Sequence, residues 1–341
     1  MSNSNWSRRN FIKTTAVAGG VASALPSFAV NSNNTVVSKN IVIAKTNSNF
    51  EREPLLRPFG FKGAFMSEIW QNIAFLESSS EIRKVGLGSQ NVLWSDASVF
   101  GNFSESGGNA FMYVITEYAL NLIKGASFQS PVNLLDDILE DVYAYGKKIT
   151  NNPNLRKTFV LNALVSVDNA AWLLYAAENN ITTFDDLIPE KYRPALSHHL
   201  KGVASVPSMA FTIPISEIKQ AADEGYFFMK IKIGHPGTEK EMLEKDMARI
   251  SEIHKTLGNY RTKYSADGKL PYYIDINGRY QKKETLLRLI DHIEKIGAFD
   301  QTVIIEEPFP EHLEIDVSDV PIRLAADESA HTDKDALERI Q

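Results

Sequence analysis

The chain contains the stretch Phe227-Phe228-Met229-Lys230-Ile231-Lys232-Ile233, in which two lysines alternate with apolar residues. Residues i and i+2 of a strand point to the same face, so Lys230 and Lys232 are expected to project into one cavity. A Lys-x-Lys pair alone is more typical of a solvent-facing edge strand, but the surrounding Phe and Ile residues favour a buried one. Two cations held close together lower each other's pKa, which would make one lysine a usable base near neutral pH.

Three later motifs also place polar residues at the end of an apolar run. They contain Asp275 and Asn277, then Glu306 and Glu307, then Asp327 and Glu328. Polar groups at the ends of successive buried strands form the active sites of β/α barrels. Each acid alone would equally suit a helix cap or a surface ion pair, and the ordered series favours a shared site.

Three carboxylates that converge at strand ends repel one another unless a cation neutralises them. Asp275, Glu306 and Asp327 are spaced by about one strand–helix unit each. Ligation by oxygen alone suits Mg²⁺ or Mn²⁺ rather than zinc. The sequence therefore predicts a divalent-metal site at these three residues.

The C-terminal part of the chain alternates between strand and helix patterns, which indicates an α/β class with a parallel sheet or barrel. The predicted strands are 205–213, 227–233, 272–276, 302–306 and 322–326, and the predicted helices are 216–224, 238–257 and 283–296. Because a complete barrel takes about 250 residues, we expect the given sequence to be truncated before the last barrel strands. A smaller, complete doubly wound sheet is the alternative.

The preceding part has a mixed α+β pattern. Extended segments are predicted at 61–76 and 82–94, and helices near 108–124, 131–149 and 158–179. Residues 31–49 are rich in Asn, Ser and Thr and are interpreted as a linker or a frayed first strand. The Gly86-x-Gly88 pair lacks the third glycine of a dinucleotide-binding loop, so it is predicted to be a turn.

Residues 1–29 are predicted to be an export signal rather than part of the fold. Ser7-Arg8-Arg9-Asn10-Phe11-Ile12-Lys13 matches the twin-arginine pattern, with Ile12 in place of the usual Leu. A short apolar stretch and a small-residue cleavage site, Ser27-Phe28-Ala29, follow. A flexible basic N-terminus is the alternative. We therefore expect the twin-arginine export machinery as a partner and the periplasm as the location.

Composition excludes several function classes. The formal net charge is −6, and no basic stripe offsets it, which argues against a nucleic-acid partner. There are no cysteines, so disulfides, thiolate metal sites and a cysteine nucleophile are excluded. With 43% hydrophobic and 23% charged residues, the chain has the composition of a globular protein.

The ordered set Lys-x-Lys, Asp-x-Asn, Glu-Glu-Pro and Asp-Glu-Ser resembles the enolase superfamily, specifically its muconate-lactonizing enzyme and mandelate racemase type. The resemblance covers 160–341 well and extends weakly over the N-terminal half. It implies a capping domain with a linker at 30–200 and a partial (β/α) TIM-type barrel of about five units at 201–341. The family's second lysine, on the sixth barrel strand, lies beyond Gln341.

The resemblance also assigns roles. Lys232 would remove a proton from the carbon next to a carboxylate, and Lys230 would hold that carboxylate and help lower the pKa of Lys232. Asp275, Glu306 and Asp327 would bind Mg²⁺, which stabilises the enediolate formed. Supporting positions around the ligands and lysines would be taken by Asn277, Glu307 and Glu328.

The reaction implied is that of a racemase, epimerase or cycloisomerase acting on a small carboxylate, with an L-Ala-D/L-Glu-type dipeptide favoured as substrate. An acid-sugar dehydratase or an o-succinylbenzoate synthase-like lyase is the second hypothesis, and a non-catalytic metal-binding fragment is the third. The family's substrate loop would correspond to Phe59–Trp70, which equally suits a buried strand. His235 is expected to have a role in a loop, and His198 and His199 are expected to lie at the surface. The sequence leaves open whether the protein forms a homo-oligomer.

Overall fold

The computed structural model describes residues 39–330 and 333–339. The predicted export signal at 1–29 lies outside the described residues. The described residues form a four-stranded antiparallel sheet followed along the chain by a five-stranded parallel sheet.

The antiparallel sheet begins with a long hairpin of β1 (Ile41–Phe61) and β2 (Ala64–Ser78), joined by Lys62 and Gly63. β3 (Arg83–Gln90) and the short β4 (Ser127–Phe128) complete it in the order β3-β2-β1-β4. Both turn residues have positive φ, at 50° and 72°, a backbone conformation that glycine adopts most readily. Residues 31–49 are predicted to be a linker or a frayed first strand, and from Ile41 onward they form the first strand, which buried Ile41 and Ile43 anchor in the core.

Helices follow β3 along the chain, and the long ones among them pack against this sheet. They are α1 (Val92–Ser95), α2 (Ala97–Ile123), α3 (Pro131–Ile149), α4 (Lys157–Glu178), α5 (Phe184–Leu187) and α6 (Arg193–Leu196). The three predicted helices are confirmed, although α2 begins earlier and is interrupted at Ser104, where φ is 68°. α4 is long and apolar enough to cross a membrane by composition alone. Its side chains Val167 and Leu174 are instead fully buried in the core, as expected for a central helix.

The predicted turn at Gly86 and Gly88 is wrong, because both glycines lie inside β3. A Cβ atom built at Gly86 would lie 2.1 Å from the Ser166 carbonyl oxygen and 2.3 Å from the Ala170 nitrogen of α4. The glycines are needed because the α4 backbone packs directly against the strand, and glycine in a strand often marks such an approach.

The parallel sheet runs in the order β5-β6-β7-β8-β9. Its strands are β5 (Ser208–Met209), β6 (Met229–Lys232), β7 (Tyr272–Asp275), β8 (Thr302–Glu306) and β9 (Leu324–Ala325). Helices α7 (Ile215–Asp223), α8 (Glu239–Leu257) and α9 (Lys283–Lys295) connect successive strands, and a 3₁₀ turn (Phe299–Gln301) and α10 (Asp333–Arg339) follow. Each predicted strand is present: β8 has the predicted bounds and the other four strands are shorter. The alternation of strand and helix is confirmed.

Local sequence signals explain where these helices begin. The Thr238 hydroxyl accepts from the Glu241 N–H, and the Glu241 carboxylate accepts from the Thr238 N–H, so a capping box is formed at the start of α8. Apolar side chains of α8 and α9, such as Ile250 and Leu289, pack on buried strand residues such as Ile231 and Ile274. This core holds the parallel strands in register, and the register aligns the ends that carry the polar motifs.

The close approach at Gly86 gives a stability prediction. Gly86→Ala should lower the free energy of unfolding by at least about 2 kcal/mol, because the added methyl meets immobile backbone atoms. Urea denaturation would measure the change. Gly101→Ala is the control, since nothing lies within 4 Å of its added Cβ. Equal effects of the two substitutions would contradict the proposed backbone contact.

Candidate active site

The polar motifs meet at one edge of the parallel sheet because their strands are aligned. Lys232 is paired in register with Asp275, and Asp275 with Glu306. Glu306 is paired in turn with Ala325, so Asp327 follows two residues beyond the same level. The carboxyl ends of parallel strands form the functional face of a β/α fold.

Both lysines of β6 reach this edge, as the alternation of strand side chains predicts. Lys230 Nζ lies 2.9 Å from Asp275 Oδ2 and 2.5 Å from Glu306 Oε2. Lys232 Nζ donates to the same Asp275 Oδ2 and, at 2.9 Å, to Asn277 Oδ1. Two ammonium groups therefore share one carboxylate oxygen.

The expectation that the two cations lower each other's pKa is corrected for Lys230. Burial would lower the pKa of Lys230, but the charges and hydrogen bonds of Asp275 and Glu306 outweigh burial and hold it above its ordinary value. The reason is that neighbouring strands supply carboxylates, which the β6 sequence alone does not contain.

The two carboxyl groups are shifted in opposite directions. Burial would raise the pKa of Asp275, but Lys232 and Lys230 lower it below its ordinary value. For Glu306, burial and the charge of Asp275 raise the pKa to about 7, with Lys230 opposing. Asp275 is thus the well-compensated anion of the pair, whereas the charge of Glu306 is compensated only in part, by Lys230.

The donor atoms at this edge partly fit a divalent cation. Glu306 Oε2 is in ionic contact with Lys230 but receives no hydrogen bond of good geometry. Asp275 and Glu306 thus offer adjacent buried oxygens with a shortage of positive charge, which hard cations such as Mg²⁺ favour. Asp327 is half-buried beyond β9. Within residues 39–330 and 333–339, no three acidic or histidine side chains are arranged to hold a metal, so the three-ligand set stays a prediction.

Asn277, Glu307 and Glu328 lie around these groups. The Asn277 N–H donates to Asp275 Oδ1 at 2.9 Å, and its Nδ2 donates to Glu328 Oε1 at 3.3 Å. Glu307 Oε2 accepts from the Asp327 N–H at 2.7 Å and from the Ser329 hydroxyl at 3.0 Å. Asn277 and Glu307 both have positive φ, at 51° and 39°. Such backbone conformations cost free energy in non-glycine residues and cluster at functional sites.

Sequence reasoning missed Lys62, which the hairpin turn brings to the site. Its side chain is 5% exposed, and Nζ lies 2.8 Å from Glu328 Oε1 and 2.7 Å from the Trp94 carbonyl oxygen. The preceding Phe61 ring lies 5.7 Å from Lys232 Nζ. The Phe59–Trp70 segment is thus two strand ends and a turn beside the site. In the sequence, the only signal for this hairpin turn was the Lys62-Gly63 dipeptide, which is typical of a turn.

The histidines contribute less to this edge. His235 Nδ1 lies 2.5 Å from Asp246 Oδ1, and that buried carboxylate also accepts from Tyr280 and from the Gly234 N–H. His235 therefore supports the loop after β6. His198 and His199 are exposed, as predicted.

Comparison with known proteins agrees with this architecture. Residues 215–341 match the family described as Enolase C-terminal domain-like. This part of the chain is thus similar to the C-terminal domain of enolase-type proteins. A comparison with curated protein sequences gives no match.

Solved structures extend the likeness to the antiparallel sheet. The dipeptide epimerase of Enterococcus faecalis V583, solved with Mg and L-Leu-L-Tyr, is 17% identical with a TM-score of 0.59, covering 88% of this chain and 71% of that one. The L-Ala-D/L-Glu epimerase of Bacillus subtilis is also 17% identical, with a TM-score of 0.57 and the same coverage. The L-talarate/galactarate dehydratase of Salmonella typhimurium LT2 is 15% identical with a TM-score of 0.51, covering 86% of this chain and 64% of that one.

At these identities the likeness shows the fold alone, which is an antiparallel sheet with helices followed by parallel strand–helix units. The predicted family resemblance and fold class are therefore confirmed. The predicted boundary near residue 200 stays a prediction.

The raised pKa of Glu306 predicts a pH-dependent stability. The folded protein holds this proton between pH 4.5 and about 7, whereas the unfolded chain releases it. The contribution of protonated Glu306 to the free energy of unfolding is fully present below pH 4.5 and is lost as the pH rises through about 7. Glu306→Gln should therefore raise the metal-free unfolding free energy at pH 8 by about 1–3 kcal/mol, and not at pH 4.5. Urea denaturation with a chelator would measure this; a pH-independent gain, or one shared by exposed Glu294→Gln, would refute it.

The buried Lys62–Glu328 pair gives a second stability prediction. Lys62→Met should destabilise the protein by about 3–5 kcal/mol, because Glu328 is left buried and unpaired. Adding Glu328→Gln should restore most of the loss. Lys45→Met is the control, since Lys45 is 65% exposed in its pair with Glu77 and such pairs contribute about 1 kcal/mol or less. Thermal and urea unfolding would compare the variants, and a double variant no more stable than Lys62→Met would contradict the pairing.

Proposed function

We propose that this protein removes a proton from the carbon next to a carboxylate, in a Mg²⁺-dependent reaction. The observation that carries the proposal is the convergence of Lys230, Lys232, Asp275 and Glu306 on one sheet edge within a region of the enolase superfamily. A base, a carboxylate-binding cation and oxygen ligands lie within one hydrogen-bonded network. Such a set can bind an acid, deprotonate it and neutralise the charge that develops.

Lys232 is the proposed base. Its Nζ is held by Asp275 and Asn277, and its side chain is 10% exposed. These contacts fix the amine in one position, which a general base needs. To accept a proton the amine must first be neutral, so its bond to Asp275 must weaken during the reaction. Lys230 is proposed to bind the substrate carboxylate, since its exposed fraction is larger, at 22%.

Asp275, Glu306 and Asp327 are the proposed ligands of Mg²⁺, with Mn²⁺ as a substitute. The bound ion would supply positive charge next to the substrate carboxylate and lower the free energy of the deprotonated product. Asn277 would keep Asp275 oriented through its N–H, and Glu307 would position Asp327 through the backbone.

We propose a dipeptide of the L-Ala-D/L-Glu type as substrate and epimerisation as the outcome. Support comes from the fold shared with two dipeptide epimerases. The apolar Phe61 beside Lys232 suits a side chain next to the reacting carbon. Export through the twin-arginine pathway to the periplasm, where cell-wall peptides are available, is part of this proposal.

Elimination of water is the competing outcome, because an L-talarate/galactarate dehydratase also shares the fold. Both reactions begin with the same proton removal, so they differ in the product and not in the role of Lys232. Epimerisation yields an isomer of equal mass, whereas elimination yields a product lighter by one water.

Incubation with Mg²⁺ and a dipeptide and sugar-acid library in D₂O tests the proposal. Deuterium should enter the position next to a carboxylate, as measured by mass spectrometry and NMR. Lys232→Ala should reduce this exchange by at least about 10²–10⁴-fold, the usual contribution of general base catalysis. Lys255→Ala, at an exposed position of α8, is the control and should exchange normally. Exchange retained in Lys232→Ala would remove Lys232 from this role.

A further inference from the structure

A second polar cavity lies beside the proposed site. It has a volume of about 220 Å³, and its charged lining consists of Lys62, Arg156, Arg279, Glu307, Glu311 and Glu328. We name it the Arg279 pocket. One water needs roughly 10–15 Å³ of such volume, so the pocket has room for a larger group.

The pocket is continuous with the proposed site through shared side chains. Asn277 and Glu328 line it, and Asn277 Oδ1 accepts from Lys232 Nζ at 2.9 Å. The pocket therefore begins one side chain away from the proposed base. A small molecule bound at Lys230 and Lys232 could therefore reach the pocket with a second group.

Two of its three cations already have partners. Lys62 pairs with Glu328 at 2.8 Å, and Arg156 pairs with Glu311 at 2.6 Å. The remaining acid, Glu307, accepts from the Asp327 N–H and the Ser329 hydroxyl. These contacts leave Arg279 as the cation whose charge is uncompensated.

Arg279 is half-buried, and within residues 39–330 and 333–339 its guanidinium has no hydrogen-bond or ion-pair partner. Burial lowers its pKa, and the attraction of Asp246 only opposes that effect. Asp246 is itself engaged by His235, Tyr280 and the Gly234 N–H. Its Nε–H is buried without a hydrogen-bond partner, which is unfavourable, so an anion beside the guanidinium is the simplest complement.

The backbone is shaped around this side chain. A Cβ at Gly63 would lie 2.6 Å from Arg279 Nη2, and one at Gly234 would lie 2.7 Å from Arg279 Cγ. Both glycines have positive φ, at 72° and 82°. The hairpin turn therefore packs against the guanidinium and the loop after β6 packs against the aliphatic stem, which restricts the position of Arg279 before any ligand binds.

We propose that the Arg279 pocket binds a second carboxylate of the substrate, so that the protein selects small acids with two carboxylates. This inference rests on the proposed function for the first carboxylate. A planar guanidinium matches a carboxylate with two parallel hydrogen bonds, which gives specificity as well as affinity. Arg279 is thus a specificity-determining residue, separate from the base and the metal ligands.

Binding of a matched ligand pair tests the pocket. Glutarate carries two carboxylates, and glutaramate has the same chain with one of them replaced by a neutral amide. By calorimetry with Mg²⁺, the wild-type protein should bind glutarate at least about tenfold more tightly, as expected for a hydrogen-bonded charge pair. Arg279→Met and Arg279→Gln should each bind the two ligands equally. The control Arg288→Met, at an exposed position of α9, should keep the preference.

A stability measurement separates ligand binding from a structural role. Because Arg279 has no partner, Arg279→Met should melt at or above the wild-type temperature. A lower melting temperature with an unchanged glutarate preference would overturn the proposal, and so would a wild-type protein without the preference. A pocket that takes up inorganic phosphate but does not distinguish glutarate from glutaramate would also overturn it.

The result of the glutarate binding test does not depend on proton removal by Lys232. Glutarate preference without deuterium exchange would retain the pocket and reject the proposed function. Exchange with an Arg279→Met variant that keeps the preference would reject the pocket and retain the function. Lys232→Ala should lose exchange and keep a preference that depends on Arg279.

Discussion

The geometry of the candidate site depends on the carboxylate of Asp275. This group is fully buried, and its Oδ2 atom is shared by Lys230 and Lys232 while Oδ1 accepts the Asn277 N–H. A buried carboxylate is tolerated only when its charge is compensated. The compensation requires β6 and β7 in the observed register, because a shift of one residue would turn both lysines to the other face of the sheet.

The compensation of charge is uneven across the rest of the site. Glu306 has only part of the charge of Lys230, and its pKa is raised accordingly. Glu328 is matched by Lys62 from the other sheet, whereas Arg279 has no matching anion within the part of the chain that the structure describes. Glu306 thus has too little positive charge beside it, and Arg279 has too little negative charge. The proposed Mg²⁺ would supply charge to Glu306, and the proposed second carboxylate would pair with Arg279.

The sequence predicted what local pattern controls. Strand–helix alternation after Ser205 and the apolar runs before Asp275 and Glu306 sufficed for the parallel sheet and for the common edge of its polar residues. Gly86 was misinterpreted because its reason is an α4 backbone far away in the sequence. Lys62 and Arg279 were missed for the same reason. Whether each cation has a partner depends on contacts between segments that are distant in the sequence. The predicted direction of the Lys230 pKa shift was wrong, because the carboxylates of β7 and β8 raise this pKa more than the neighbouring lysine lowers it.

The contact between Lys62 and Glu328 also bears on how the polypeptide acquires its structure. These residues belong to the first hairpin and to the segment after β9, so almost the whole described chain separates them. During synthesis the hairpin leaves the ribosome long before its partner exists, and its turn lysine stays hydrated until then. Contacts of such high order slow folding. The late docking of this turn would make completion of the candidate site one of the final events in maturation.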